Sequence, residues 1–292
     1  MAAEPWQPAT VREGGRAART LLGLARSTPR SPAFLAGVAV LLLWVVDALA
    51  WRAIAPYDPQ AVSAARTLQP PSAEHWFGTD DLGRDVFSRV LAGASSVLTV
   101  APAAALLAVA AGVAVGLVAG YVGGAADELL MRLVDALLAF PLVVGAVLVL
   151  TVTGVSRLHL VLVIALVLAP LTARTVRAAV RAEREREYVE AARLRGDPAP
   201  YIMVAEILPN VAALVVAETT ARLAAAIFAA ATLSFLGLGV QQPSPDWGLS
   251  VALGRVFLQT APWVVLFPAL ALASLVVATT VVTDGLRERI DE

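Results

Sequence analysis

Residues 97–119 read VLTVAPAAALLAVAAGVAVGLVA, an uninterrupted run without a single charged side chain. The hydrocarbon core of a bilayer is about 30 Å thick, and about 20 apolar residues in a helix cross it. The run therefore predicts a membrane-spanning helix. The whole chain agrees with this prediction, because 59% of its 292 residues are hydrophobic and 15% are charged, whereas soluble domains carry about 25% charged residues.

Five further apolar runs predict five further spans. They contain no period-two alternation, and unbroken apolar runs favour helices over a membrane barrel. Two of these runs are separated only by residues 154–157, which predicts a helical hairpin. We therefore expect an all-α polytopic membrane protein with about six transmembrane helices. The five runs cover residues 33–54, 136–153, 158–173, 211–239 and 262–283.

Arginine counts predict the orientation of these spans. All 22 cationic side chains are arginines, and cytoplasmic segments of membrane proteins carry the excess of positive charge. With the N-terminus inside, 15 arginines fall in inner segments and six in outer segments. We therefore expect a multi-pass protein of the inner (cytoplasmic) cell membrane with both termini in the cytoplasm.

The order of spans and loops predicts three parts. Residues 1–32 form a cytoplasmic tail, residues 33–95 form the first span and an outer segment, and residues 96–292 form a core with five spans. This core contains a charged inner loop at about residues 181–210.

The composition excludes several kinds of chemistry. Without any cysteine the chain forms no thiolate metal site or disulfide. Without lysine it lacks the residue that a P-loop places on nucleotide phosphates. The only histidines, His75 and His159, lie far apart, and the net charge is −1. From composition we expect no metal site, no P-loop ATPase chemistry and no nucleic-acid partner.

Four glycines recur every fourth residue along the second span. Gly112, Gly116, Gly120 and Gly124 fall near one face of a helix, where glycine allows another backbone to approach closely. The pattern predicts helix packing at this face. The packing helix could belong to this chain or to a partner.

The inner loop contains REREYVEAARLRG at residues 184–196. This is a short, highly charged helix that Gly196 and then Pro198 would end. Such a helix is ordinarily a solvated face. However, Ala191 and Ala192 beside Tyr188 and Glu190 predict a flat patch of small residues that suits docking against another protein.

The same loop resembles the EAA loop of ABC-importer permeases. The resemblance rests on Glu190-Ala191-Ala192, then Gly196, then Leu208-Pro209, with Glu206 in place of the usual hydrophobic residue. Three more blocks resemble the dipeptide/oligopeptide/nickel subfamily, and their order is similar to its C-type permeases. These blocks are residues 75–89, residues 233–239 with 245–248, and residues 284–287.

The resemblance implies a type I ABC-importer permease fold, with the charged helix as the coupling helix that contacts a cytoplasmic ATPase. It implies transport of dipeptides or oligopeptides, or alternatively of nickel or another small solute. The implied partners are a homologous permease, two ATPase subunits that hold ATP and Mg, an extracytoplasmic substrate-binding protein and lipid. The resemblance also implies that this chain holds no cofactor and has no catalytic activity of its own. A secondary transporter is less favoured, since no inverted repeat is visible. The residues implied in ATPase coupling are Tyr188, Glu190, Ala191, Ala192, Gly196, Leu208 and Pro209.

Two charges interrupt the fifth span. Glu218 and Arg222 are four residues apart, so their side chains can meet on one helix face. Ionised groups inside a membrane cost about 2.5–3.5 kcal/mol on insertion scales. The two residues predict either a polar patch on the translocation path or an intrahelical ion pair.

Further candidates lie in the outer segments. Asp80, Arg84 and Asp85 predict either a contact with the binding protein or a surface helix capped by Thr79 or Asp80. Asp246 and Trp247 predict either an interfacial tryptophan anchor or part of an outer gate.

Overall fold

The computed structural model describes residues 31–291, and side chains as far as Arg287. This part of the chain is helical, and its one extended pairing is an isolated bridge between Thr79 and Asp85. The predicted tail at residues 1–32 lies outside the described residues except for Ser31 and Pro32. The principal helices are α1 Pro32–Ile54, α2 Val86–Val122, α3 Gly124–Ala139, α4 Leu142–Thr153, α5 Arg157–Arg184, α6 Glu187–Leu194, α7 Ala212–Phe235, α8 Trp247–Gly254 and α9 Trp263–Asp291.

Five of these helices, α1, α2, α5, α7 and α9, are long and apolar enough to cross a membrane. The consecutive helices α3 and α4 form a pair bent by 89° that counts as a sixth span if it crosses as one unit. The prediction of an all-α protein with about six spans is therefore confirmed. We call the end of the bundle that holds residues 55–85 the cap end, and the opposite end, with residues 185–210, the loop end.

The predicted span at 136–153 is not one continuous helix. The backbone leaves the helical region at Phe140, because a proline follows and disfavours helical geometry in the residue before it. Helix α4 then has only 12 residues, about 18 Å at 1.5 Å per residue. Helix α3 precedes it and carries a charged face, which the hydropathy pattern did not reveal.

The predicted boundary between the fourth span and the inner loop also moves. Helix α5 runs from Arg157 to Arg184, so the arginines from Arg174 onward extend the helix instead of beginning a loop. Two of them pair with α3, Arg177 with Asp127 and Arg174 with Asp135. These ion pairs stabilise the charged end of α5 as a helix.

Glycines hold α2 against α5 of the same chain. A Cβ atom added to Gly112 would lie 2.6 Å from the Thr172 Cβ, and one added to Gly116 would lie 2.8 Å from the Val176 Cβ. A Cβ atom added to Gly120 would lie 2.8 Å from the Val180 Cβ. The packing partner that the sequence left open is therefore α5. Gly124 is outside this contact, since it begins α3.

Two separate apolar cores result. The larger core lies among α2, α4, α5, α7, α8 and α9. The second core lies at the loop end and joins the ends of α2 and α5 to α6 and the segment that follows. It consists of Leu117, Val176, Val180, Val189, Ala192, Ile202 and Ile207.

The outer segment ends where α2 begins, at Val86, with Asp85 as its N-cap. Helix α2 continues without a break past residues 95 and 96, where the sequence suggested a division between parts. The cap end is therefore built directly on the start of a spanning helix.

Candidate functional site

Helix α6 at the loop end is the predicted short charged helix. It spans Glu187–Leu194, and Gly196 follows it with φ of +80°. The Gly196 N–H donates to the Arg193 carbonyl, and the Asp197 N–H donates to the Ala192 carbonyl. This left-handed turn after a helix is strongly preferred for glycine, so the predicted end of the helix at Gly196 is confirmed.

The two faces of α6 have different surroundings. Val189 and Ala192 are fully buried in the second core. Glu190, Ala191 and Leu194 face outward, and Leu194 is 84% exposed. The predicted patch with both alanines side by side is therefore wrong, because at helical spacing Ala192 turns into the core. The outward surface is Glu190, Ala191 and Leu194, which we call the α6 outer face.

Tyr188 joins α6 to the end of α5. Its hydroxyl donates to Glu183 Oε2 at 2.9 Å. Burial of the ring, and the nearby Glu183 carboxylate, raise the pKa of Tyr188. The phenol therefore remains neutral and acts as a hydrogen-bond donor that fixes the start of α6.

A π-helix at Ile202–Ile207 connects the loop to α7. Leu208 and Pro209 follow it immediately. Pro209 has no N–H to donate to the carbonyl four residues earlier. In a regular α-helix its ring would also clash with that carbonyl. The wider π turn accommodates this proline, while Ile202 and Ile207 point into the second core.

Glu206, the departure from the family's pattern, has a partner in the structure. Arg195 Nη2 donates to Glu206 Oε1 at 2.9 Å and to Asp197 Oδ2 at 2.8 Å. The carboxylate thus ties the turn after α6 to the π-helix. Residue spacing alone did not indicate this contact.

Glu218 and Arg222 form the intrahelical pair. Arg222 Nη2 lies 3.2 Å from Glu218 Oε2, and the Thr172 hydroxyl on α5 donates to the same oxygen at 3.3 Å. Glu218 is buried against α5 and does not face open space. The Arg222 side chain is 14% exposed, and its Nε has no hydrogen-bond partner among residues 31–291. The Arg222 side chain is thus the more exposed of the two, although its Nε is buried.

At the cap end, Asp80 and Arg84 are buried and bonded to each other. Arg84 Nε donates to Asp80 Oδ2 at 2.7 Å, and Asp80 Oδ1 accepts the Arg84 N–H at 2.9 Å. The candidate contact of these side chains with a binding protein is therefore not supported. Their burial shows that they fold the cap instead of presenting a charged surface.

Asp85, not Thr79 or Asp80, caps the helix that begins here. Its Oδ2 accepts the Ser88 N–H at 2.8 Å, and its Oδ1 lies 2.9 Å from His75 Nδ1. The capped helix is the spanning α2. The alternative prediction of a helix lying on the membrane surface is therefore also wrong.

Trp247 lies inside the bundle and not at its surface. It is 1% exposed, its Nε1 donates to the Val90 carbonyl at 2.8 Å, and its ring meets Trp44 edge-on at 4.8 Å between centroids. It therefore joins α1, α2 and α8, and the prediction of an interfacial anchor is wrong.

Asp246 caps α8, with Oδ1 accepting the Leu249 N–H at 3.0 Å. Burial raises the pKa of Asp246. This buried cap fixes the start of α8 beside Trp247. The outer-gate hypothesis for the two residues stays a prediction.

No sequence pattern indicated how the cap is held to α9. Phe77 stacks on Phe267 with centroids 3.8 Å apart, and Trp263 Nε1 donates to the Thr79 carbonyl at 3.1 Å. These contacts are separated by more than 180 residues in the chain, so local patterning could not reveal them.

These features define a polytopic helical membrane protein that has a folded cap at one end and a small projecting helix at the other. Residues 112–292 match the family described as the inner membrane component of binding-protein-dependent transport systems. The chain belongs to this family, the membrane permeases of ABC importers.

Individual relatives share the length of the chain as well. The dipeptide transport system permease protein DppC of Alkalihalophilus pseudofirmus is 38% identical over 255 residues, which is 87% of this chain and 84% of the relative. The di/tripeptide permease DppC of Pseudomonas aeruginosa is 38% identical, over 88% of this chain and 87% of its own. The glutathione permease GsiD of Escherichia coli is 40% identical, over 89% and 86%. The predicted resemblance is confirmed.

Proposed function

We propose that this permease imports dipeptides or short oligopeptides as one half of a translocation pathway. Three relatives that match most of its length are named for dipeptides, di/tripeptides and glutathione. These cargoes share a short backbone with charged ends. A short peptide is therefore the cargo class that this chain's relatives favour over nickel or another small solute.

The α6 outer face is the proposed contact with the ATPase. The exposure of Leu194 on this face is the observation that carries the coupling role. Leu194 is 84% exposed at the tip of a charged helix whose other face is fixed in the second core. A large apolar side chain held out in this way fits a partner surface better than water. Glu190 and Ala191 lie on the same face, and Gly196 fixes the turn behind it.

Membership of the family supports our proposal for the remaining assembly. A homologous permease completes the pathway, two ATPase subunits bind ATP and Mg at the loop end, and an extracytoplasmic binding protein delivers the peptide at the cap end. The loop end and both termini lie in the cytoplasm, where the arginine excess belongs. The chain itself transports without bond chemistry.

Arg222 is the proposed pathway residue of the Glu218–Arg222 pair. Glu218 accepts from Thr172 and pairs with Arg222, and its side chain is 7% exposed, whereas the Arg222 side chain is 14% exposed. A guanidinium can bind the terminal carboxylate of a peptide through two parallel hydrogen bonds. Glu218 then serves to orient Arg222.

Uptake of a labelled dipeptide by the reconstituted importer, with its ATPases and binding protein, tests the proposal. Glu190→Arg and Gly196→Asp should leave the permease in the membrane but separate ATP hydrolysis from uptake. Glu128→Arg is the matched control, because Glu128 is an exposed acid on α3 at the same end of the bundle. Normal uptake by both α6 variants would overturn the coupling role.

A further inference from the structure

Tyr121, at the end of α2, contacts one arginine of α5 and one arginine of α6. Tyr121 is the second-last residue of α2. Arg184, the last residue of α5, donates from Nη1 to the Tyr121 carbonyl at 3.3 Å. Arg193, on α6, places its guanidinium carbon 5.2 Å from the centre of the Tyr121 ring. Tyr121 thus contacts both α5 and α6.

Both contacts have a clear chemical basis. The last carbonyls of a helix lack intrahelical partners and carry partial negative charge, so the Arg184 guanidinium is a suitable donor to Tyr121. An arginine over an aromatic face gains cation–π attraction. Gly123 has φ of +70°, and a Cβ there would lie 3.0 Å from Arg184 Nη1. The bare backbone at Gly123 gives the guanidinium its room.

The surrounding apolar contacts make this junction continuous with the rest of the bundle. Val189 and Ala192 of α6 share the second core with Leu117 of α2 and Val180 of α5. The glycine face of α2 packs directly on α5. Helix α6 therefore rests on a pair of helices that are already joined. By contrast, its covalent path to α7 passes through the π-helix.

We propose that Tyr121, Arg184 and Arg193 form a latch through which displacement of α6 is transmitted to α2 and α5 together. This inference rests on the proposed coupling function and adds the route inside the permease. The three are positioning residues, since they act through helices and do not contact cargo or nucleotide. In this arrangement α6, α2 and α5 move as one body, and the change in geometry occurs at the π-helix.

Paired substitutions test the stacking contact. Tyr121→Leu and Arg193→Ala should each lower peptides imported per ATP hydrolysed by about 3- to 10-fold, within the range of cation–π energies. Tyr121→Phe should retain the ratio, because the Tyr121 hydroxyl donates no hydrogen bond among the described residues and the ring remains. The double variant Tyr121→Leu/Arg193→Ala should lose no more than either single variant, since both remove the same contact. Arg132→Ala, an exposed arginine on α3, is the control.

Cross-linking tests whether the junction moves as a unit, and the absence of cysteine from the chain makes it direct. The double variant Tyr121→Cys/Arg193→Cys should import poorly, and a short bis-maleimide that joins the two thiols should restore import. Inhibition by the cross-link would show that α6 must move against α2, which overturns the latch. Additive losses in the double substitution would overturn it as well.

The coupling role can fail independently of the latch. If Glu190→Arg and Gly196→Asp import normally, the proposed function of α6 is wrong. If they uncouple but Tyr121→Leu imports like the unmodified protein, only the latch is wrong.

Discussion

Ala191 and Ala192 are identical neighbours with opposite surroundings, and this difference separates folding from coupling at the level of single residues. Ala192 is fully buried among Val189, Ile202 and Ile207. Ala191 is exposed on the α6 outer face. Of these adjacent alanines, one packs inside the chain and the other lies on the face proposed to contact the ATPase.

We expect Ala192→Asp to destabilise the loop end and Ala191→Asp to leave the fold intact. A carboxylate at residue 192 would be buried without a partner, at a cost of several kcal/mol. The exposed substitution should change stability by less than about 0.5 kcal/mol and instead weaken ATPase association. Thermal unfolding of the purified permease and co-purification with its ATPases separate the two effects, and equal melting temperatures would contradict the assignment.

Trp247 supports a second prediction at this scale. Trp247→Phe keeps an aromatic ring against Trp44 but loses the hydrogen bond to the Val90 carbonyl, at a cost of about 0.5–1.5 kcal/mol. Trp247→Ala leaves a cavity in the main core and should cost about 3–5 kcal/mol. Denaturation of the detergent-solubilised protein should therefore rank the unmodified chain above the Phe variant and the Phe variant well above Ala. If the Phe and Ala variants were equally stable, the aromatic ring at residue 247 would not stabilise the packing of α8 against α1 and α2.

At the level of elements, the contact between α2 and α5 depends on glycines, because a side chain on this face of α2 would keep the two helices apart. Along this contact the two helices approach so closely that a Cβ at Gly116 would meet the Val176 Cβ at 2.8 Å and the Ala173 carbonyl at 2.9 Å. The two helices cannot separate locally at Gly116 alone, because Gly112 and Gly120 approach α5 equally closely. The pair therefore behaves as a single rigid element.

Gly116→Ala should destabilise the permease, although alanine is the better helix former. Overpacking of this kind typically costs about 1–3 kcal/mol. Gly145→Ala on α4 is the matched control, because no atom lies within 4 Å of a Cβ at that position, and it should be neutral or stabilising by about 0.5–1 kcal/mol. Melting temperatures of the two variants give the comparison, and a stabilised Gly116→Ala protein would contradict the packing.

At the scale of the whole molecule, the sequence predicted the spans well because a long apolar run needs only composition to be recognised. It predicted interruptions poorly. Pro102, Pro170 and Pro268 lie inside continuous helices, whereas Pro141 follows a break between α3 and α4. All four prolines are set in apolar sequence, so only the tertiary surroundings distinguish them.

The site was predicted unevenly for the same reason. Gly196 has a local conformational requirement, which the sequence shows directly, so the end of α6 could be predicted from it. The burial of Asp80, Arg84 and Trp247 depends on contacts across the molecule. Their charge and amphipathic character suggested a surface, but Asp80 and Arg84 are buried in the cap and Trp247 is buried against α1 and α2.

The orientation of the whole bundle can be tested with single cysteines, because the chain has none of its own. Ala64 is exposed at the cap end and Ala199 is exposed at the loop end. If the arginine-rich loop end lies in the cytoplasm, an impermeant maleimide should label Ala64→Cys from the outside, in spheroplasts if an outer membrane is present. Ala199→Cys should be labelled only after the inner membrane is permeabilised. The reverse pattern would place α6 on the side without ATP, and neither the ATPase contact nor the latch could then act as proposed.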